Sequence, residues 1–167
     1  MFCEGKTEEA YVAYLCSKYR LPIEIVSKIA ASNIKDEFIK KSKQGKPTHQ
    51  KDKDFLLFDG DIIITLDNLK KIKNAQLILS NPSIELWFLY HYKNQIANLN
   101  SYDCIRELSN RNRNSYKKGL IDQKLKSKLD SECPKACERA KKSILFDNPS
   151  SNVYILIEEL EKIKKEK

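Results

Sequence analysis

Glu4, Glu8, Asp59 and Asp61 lie in two short acidic segments, Glu4-Gly5-Lys6-Thr7-Glu8 and Asp59-Gly60-Asp61, and each segment follows an apolar run. Carboxylates grouped this way suit a hard divalent cation, because Mg²⁺ takes oxygen ligands and keeps positions for water and phosphate oxygens. In Asp-x-Asp at the end of a strand the two side chains project to the same side and can share an ion. Glu8 lies one turn into a helix from Glu4. Such a set, holding one or two Mg²⁺ or Mn²⁺ ions, could generate hydroxide near neutral pH and stabilise a pentacovalent phosphate. A plainer reading stands beside it: Asp-x-Asp pairs occur in turns, and Glu early in a helix favours the macrodipole. Gly5 and Gly60, two of only four glycines, sit inside the acidic segments and suit close backbone approach to a phosphate.

The elements that must position these acids follow from the apolar pattern. Met1 to Cys3 reads as the end of a strand, and Thr7 as the cap of a helix from Glu8 to Lys18. Ile23 to Val26 reads as a second strand, followed by a helix from Ile34 to Lys43 and a polar loop from Ser42 to Lys53. Asp54 to Phe58 is a continuous apolar run, the pattern of a strand buried on both faces of a parallel sheet. A helix from Asp67 to Lys73, a strand from Gln76 to Leu79 and a helix opened by Pro82 complete an α/β core over residues 1–98. Residues 99–167 read as helix alone, an extension packed on the core in a single compact domain. Ligands of open α/β sheets sit beyond the carboxyl ends of the strands, so both acidic segments should converge on one rim.

Composition limits the alternatives. The 167 residues carry 31 Lys plus Arg against 23 Asp plus Glu, a formal charge of +8, which suits an anionic partner or a solvated lysine-rich surface. No apolar run is long enough to span a membrane, and Met1 to Glu4 is too short and too soon acidic for a secretory signal, so a cytoplasmic protein without membrane association is expected. Five scattered cysteines read as reduced thiols; Cys133 and Cys137, at i and i+4, offer only half of a metal site. Positive charge concentrates between Asn110 and Lys128, where Arg111, Arg113, Lys117 and Lys118 are candidate phosphate contacts and Tyr116 a ring for base stacking. Glu85 lies in an otherwise apolar helix and either faces a polar site or accepts buried hydrogen bonds. His91 reads equally as a proton shuttle or nucleic-acid contact and as a structural histidine, whereas Trp87 and Phe88 read as core.

Taken in order, Cys3 to Glu8 and Phe58-Asp59-Gly60-Asp61 are similar to the Toprim motif pair. More specifically the chain resembles the RloB family, whose further signatures appear as Ser80 to His91, Tyr116-Lys117-Lys118 and Asn148 to Val153. The resemblance implies a Toprim-like fold with a short, mainly parallel sheet flanked by helices, and an antiviral defence role of the restriction or abortive-infection kind in prokaryotes. It maps Glu4, Glu8, Asp59 and Asp61 onto the Toprim metal acids and Glu85 onto the glutamate of the RloB helix. It also implies a defence-system partner such as an ATPase. Two departures are visible: the first strand has only Met1 to Cys3 where relatives have a longer lead, implying a truncated start, and Gly60 stands where relatives often carry Arg. The leading expectation is a Mg²⁺-dependent nuclease with Glu4, Asp59, Asp61 and Glu85 in catalytic roles. The alternative is a non-catalytic nucleic-acid-binding or regulatory subunit. A nucleotide hydrolase would need a base pocket that the sequence does not reveal.

Overall fold

The computed structural model describes residues 1–29, 33–47, 49 and 52–166. Its sheet has the strand order β1 (Phe2–Cys3), β2 (Phe55–Asp59), β3 (Gln76–Asn81) and β4 (Ser150–Ser151). The first three strands are parallel, and β4 pairs antiparallel with the end of β3. The protein is therefore an α/β fold with a mostly parallel sheet, as the alternation of elements predicts.

The apolar run of β2 has a direct physical reason. Successive side chains of a strand point to opposite faces, and Phe55 and Leu57 enter one buried cluster while Leu56 and Phe58 enter another. On the larger side lie α1 (Lys6–Tyr19), α4 (Ile84–Tyr90), α5 (Ser101–Arg111), α6 (Gln123–Ser131), α7 (Cys133–Lys141) and α8 (Val153–Lys165). On the smaller side lie Ile39 of α2 (Asp36–Lys43) and Leu69 of α3 (Ile63–Leu69), packed with Phe2, Ile29 and Ile34. Every residue of α4 is buried. A helix that is apolar nearly all round belongs in an interior, and its position carries Glu85 inside with it.

Several local expectations are corrected. Residues Ile23 to Val26 form no strand; Val26 alone bridges Phe2, donating its N–H to the Met1 carbonyl at 2.9 Å and accepting the Cys3 N–H at 2.8 Å. Gly5, not Thr7, caps α1, and the cap makes no side-chain hydrogen bond. The helix expected over Asp67 to Lys73 spans Ile63–Leu69. Pro82 lies before α4, after a cis peptide, and Ser83 takes the capping position. Within the loop expected from Ser42 to Lys53, residues 48, 50 and 51 lie outside the described residues.

The largest correction concerns the C-terminal region, which is not helix alone. Ser150–Ser151 extends the sheet, with Ser80 opposite Ser151 and Asn81 opposite Ser150. Asn152 then continues the edge with its side chain: Oδ1 accepts the Leu79 N–H at 2.6 Å, and Nδ2 donates to the Leu77 carbonyl at 2.9 Å. Asn148 makes the same two-way contact with the backbone of Leu99, at 3.1 and 2.8 Å. The stretch from Asn148 to Val153 therefore fastens the sheet edge. All five cysteines carry free thiols. Among the described residues no helix is long and apolar enough to cross a membrane.

Candidate functional site

Because β1 and β2 are parallel neighbours, their chains leave the sheet at the same rim. Glu4 follows β1 at once, and Asp59 is the last residue of β2. The Asp59 N–H donates to Glu4 Oε2 at 3.1 Å, tying the two strand ends together. Asp59 Oδ1 accepts the N–H of Ile84 at 2.9 Å, which draws the first turn of α4, and Glu85 within it, to the same place. Glu8 is buried in the first turn of α1. A Cβ on Gly5 would stand 2.8 Å from Glu8 Oε2, so the glycine leaves room for this carboxylate to fold back over the start of its own helix.

The electrostatics report how close these acids stand. Burial raises the pKa of Glu4, and the charge of Asp61 adds to it, partly countered by the Asp59 N–H. Burial likewise raises Glu8; its own N–H lowers it, while Glu85 and Glu4 raise it further. Asp59 is pushed well above the usual range, first by burial and then by Glu8, Glu85 and Glu4, with the Ile84 N–H opposing. Mutual repulsion in a site largely withdrawn from water is relieved by binding protons or a cation.

Glu85 is fully buried and both of its oxygens are engaged. Oε2 accepts the Ser83 hydroxyl at 2.6 Å, Oε1 accepts the Tyr116 hydroxyl at 2.8 Å, and Lys118 Nζ lies 3.8 Å from Oε1. Tyr116 and Lys118 belong to the loop between α5 and α6. That loop is docked on the start of α1 by the Gly119 N–H, which donates to Thr7 Oγ1 at 3.1 Å. Gly119 has a φ of +76°, and a Cβ there would meet Lys6 Cβ at 3.3 Å, so glycine suits the approach on both counts. A basic loop thus lies directly against the acid cluster.

Glu4, Glu8, Asp59 and Glu85 are brought together, and Asp61 stands at the exposed rim, accepting the Ser101 hydroxyl at 3.1 Å. Arg111, Arg113, Lys117 and Lys118 are all exposed, with Arg111 3.6 Å from Glu107. His91 is not part of this surface. It is buried past the far end of α4, where Nδ1–H donates to the Trp87 carbonyl at 2.9 Å and the ring packs edge-on to Trp87. Beside it, hydrogen bonding to Cys137 and then to His91 draws the pKa of the Cys133 thiol below its usual value, against burial. Tyr116 is buried and hydrogen-bonded to Glu85, so it is not a ring for base stacking.

Gly60 has a different role from the one its position suggests. A Cβ there would stand 2.8 Å from Leu79 Cδ2 and 2.9 Å from Asn81 Cβ, so packing against β3, rather than approach to a phosphate, requires glycine. Sequence reasoning missed Ser83 and Ser101 as partners of the acids. Ser83 carried a signal, lying two residues before Glu85 in the Ser-Asn-Pro-Ser stretch. Ser101 carried none.

The donor set, all carboxylate oxygens, matches the preference of Mg²⁺. Among the described residues, however, no group of three or more His, Cys, Asp or Glu side chains is arranged to hold a metal ion. Glu4 Oε2 and Asp59 Oδ1 each accept a backbone N–H, and Glu85 accepts two hydroxyls. Ion binding here therefore requires these side chains to rearrange from the positions they hold. A model of the RloB-like protein family matches residues 1–160 of the chain. No curated protein and no solved structure matches it.

Proposed function

Because the chain belongs to the RloB-like protein family, we propose that it is a Mg²⁺-dependent nuclease of a prokaryotic antiviral defence system, hydrolysing phosphodiester bonds in DNA or RNA. The observation that carries this reading is the convergence of Glu4, Glu8, Asp59 and Glu85 beneath a basic loop, with the charge of Asp59 strongly disfavoured. Glu4, Glu8, Asp59 and Asp61 would hold the ion, and Glu85 would assist a second one. When bound, the metal would supply activation of a water and charge stabilisation at the phosphate.

The chain's own groups do the positioning. The Ile84 N–H fixes Asp59, and the Asp59 N–H fixes Glu4, so the acids from two strands keep one geometry. Ser83 and Tyr116 orient Glu85. Lys118, with a largely exposed side chain, extends over the cluster where a substrate phosphate would lie. Arg113 and Lys117 would carry further backbone phosphates. Action in the cytoplasm, alongside a partner such as an ATPase, is part of the same reading.

The test is to incubate the protein with labelled plasmid, single-stranded DNA, duplex RNA and transfer RNA in Mg²⁺, Mn²⁺ or EDTA, beside Asp59→Ala and Glu4→Ala. Metal-dependent cleavage by the parent, lost in both variants, is expected; cleavage that persists in EDTA would overturn the reading. One observation favours a second function, that of a nucleic-acid-binding or regulatory subunit: among the described residues no three acids are arranged to hold a metal ion, and Glu4 and Asp59 each accept a backbone N–H. On that reading the parent cleaves nothing, and its nucleic-acid affinity survives Asp59→Ala unchanged.

A further inference from the structure

Tyr102 is the only aromatic among the large apolar side chains exposed in the described residues, at 72% exposure. Single exposed apolar side chains are ordinary, but this one is held and placed. It follows Ser101, whose hydroxyl donates to Asp61 at the rim of the acid cluster. The Arg106 guanidinium lies over its ring, 5.9 Å from the centroid, and is itself held by Asp103 at 2.8 Å. A rigid ring with a guanidinium on one side and open space around it is the kind of surface on which nucleic-acid bases stack.

The surroundings continue the same chemistry. On α5 the exposed residues Tyr102, Arg106 and Asn110 recur at i, i+4 and i+8, forming a stripe about 12 Å long. Beyond the helix the exposed Arg113 opens the basic loop, which lays Lys118 against Glu85. A strand following this stripe would run from the rim of the acids into the basic loop. Its bases would meet the ring and its phosphates the cations.

Resting on the nuclease reading above, we infer that Tyr102 is a stacking platform for a base close to the cleaved phosphate, and that the substrate is single-stranded or locally unpaired nucleic acid. Inside a duplex both faces of a base are covered by its neighbours, so a base reaches a protein ring only after it leaves the stack. Tyr102 is a positioning residue here and does none of the bond breaking.

Binding separates this inference from the catalytic one. Affinity for a labelled 30-mer single strand and for the matching duplex is measured by fluorescence anisotropy in EDTA, for the parent, Tyr102→Ala, Tyr102→Phe and Tyr102→Trp. Tyr102→Ala should weaken single-strand binding by about five- to 150-fold, the span for one stacked base. Phe and Trp should stay within about threefold of the parent because the ring is retained, and duplex binding should hardly change. Loss of affinity for strand and duplex alike, an alanine variant equal to the parent, or a parent that binds no single strand would each overturn the platform; the alanine result would leave this surface to a protein partner. Stacking confirmed in a chain that never cleaves would sink the nuclease reading and leave the platform standing.

Discussion

At Asp59 three features meet: a backbone donor from α4, burial, and the charges of Glu8, Glu85 and Glu4. A carboxylic acid whose pKa is raised by folding holds its proton more tightly in the folded state. Its contribution to stability is complete below the ordinary value of 3.8 and is lost as pH rises through the raised value. Asp59→Asn keeps the oxygen that faces Ile84 and deletes the charge. In EDTA the variant should therefore melt above the parent at pH 8, by about 2 to 4 °C per kcal/mol relieved, and the gap should close as pH falls toward 4. Thermal melts across that range check it; a gap that is the same at every pH would show that charge is not the cause. Mg²⁺ should raise the parent's midpoint more at pH 8 than at pH 5, and the variant's very little. At Gly60 the argument is steric, and Gly60→Ala should destabilise by about 1 to 3 kcal/mol in a denaturant titration because Leu79 and Asn81 already fill the Cβ position.

Among the elements, the edge of β3 depends on a side chain. Asn152→Ala leaves the Leu79 N–H and the Leu77 carbonyl without their partner, a loss of about 2 to 6 kcal/mol for two such groups. Ser150→Ala, two residues away, removes a buried hydroxyl that has no hydrogen-bond partner, so it should be neutral or stabilise by up to about 1 kcal/mol. Urea midpoints of the two variants should move in opposite directions or differ by most of the asparagine effect. This contrast also explains what the sequence could show. β2 was legible because a strand buried on both faces is apolar at every position, and β3 ran on from the same signal. β4 was not, since two serines have no periodicity and their partner strand lies 71 residues back along the chain. The expected strand at Ile23 to Val26 had the composition of a strand, but its neighbour β1 is only two residues long and the pairing stops at the single bridge between Val26 and Phe2.

Over the whole molecule, the acids were legible because carboxylates after strand ends need only the sheet to bring them together. The partners of Glu85 were not, because Tyr116 reaches it from 31 residues away and only the docked loop shows which way its hydroxyl points. For the same reason His91, equal between surface and core in the sequence, is settled by the burial of α4. The excess positive charge predicts salt-dependent affinity for nucleic acid. Replacing Arg113, Lys117 or Lys118 by Ala should lower the slope of log affinity against log salt by roughly 0.7 to 0.9 for each phosphate contact removed, which binding isotherms at several ionic strengths would show; unchanged slopes would remove these residues from the interface. The docked loop also has a consequence for synthesis. A nascent chain that has emerged as far as residue 98 already carries Glu4, Glu8, Asp59 and Glu85, but Tyr116, Lys118 and Asn152 are still to be made. The ribosome therefore releases the acids before the groups that order them, and a polypeptide cut short in translation would carry the acid cluster without its partners.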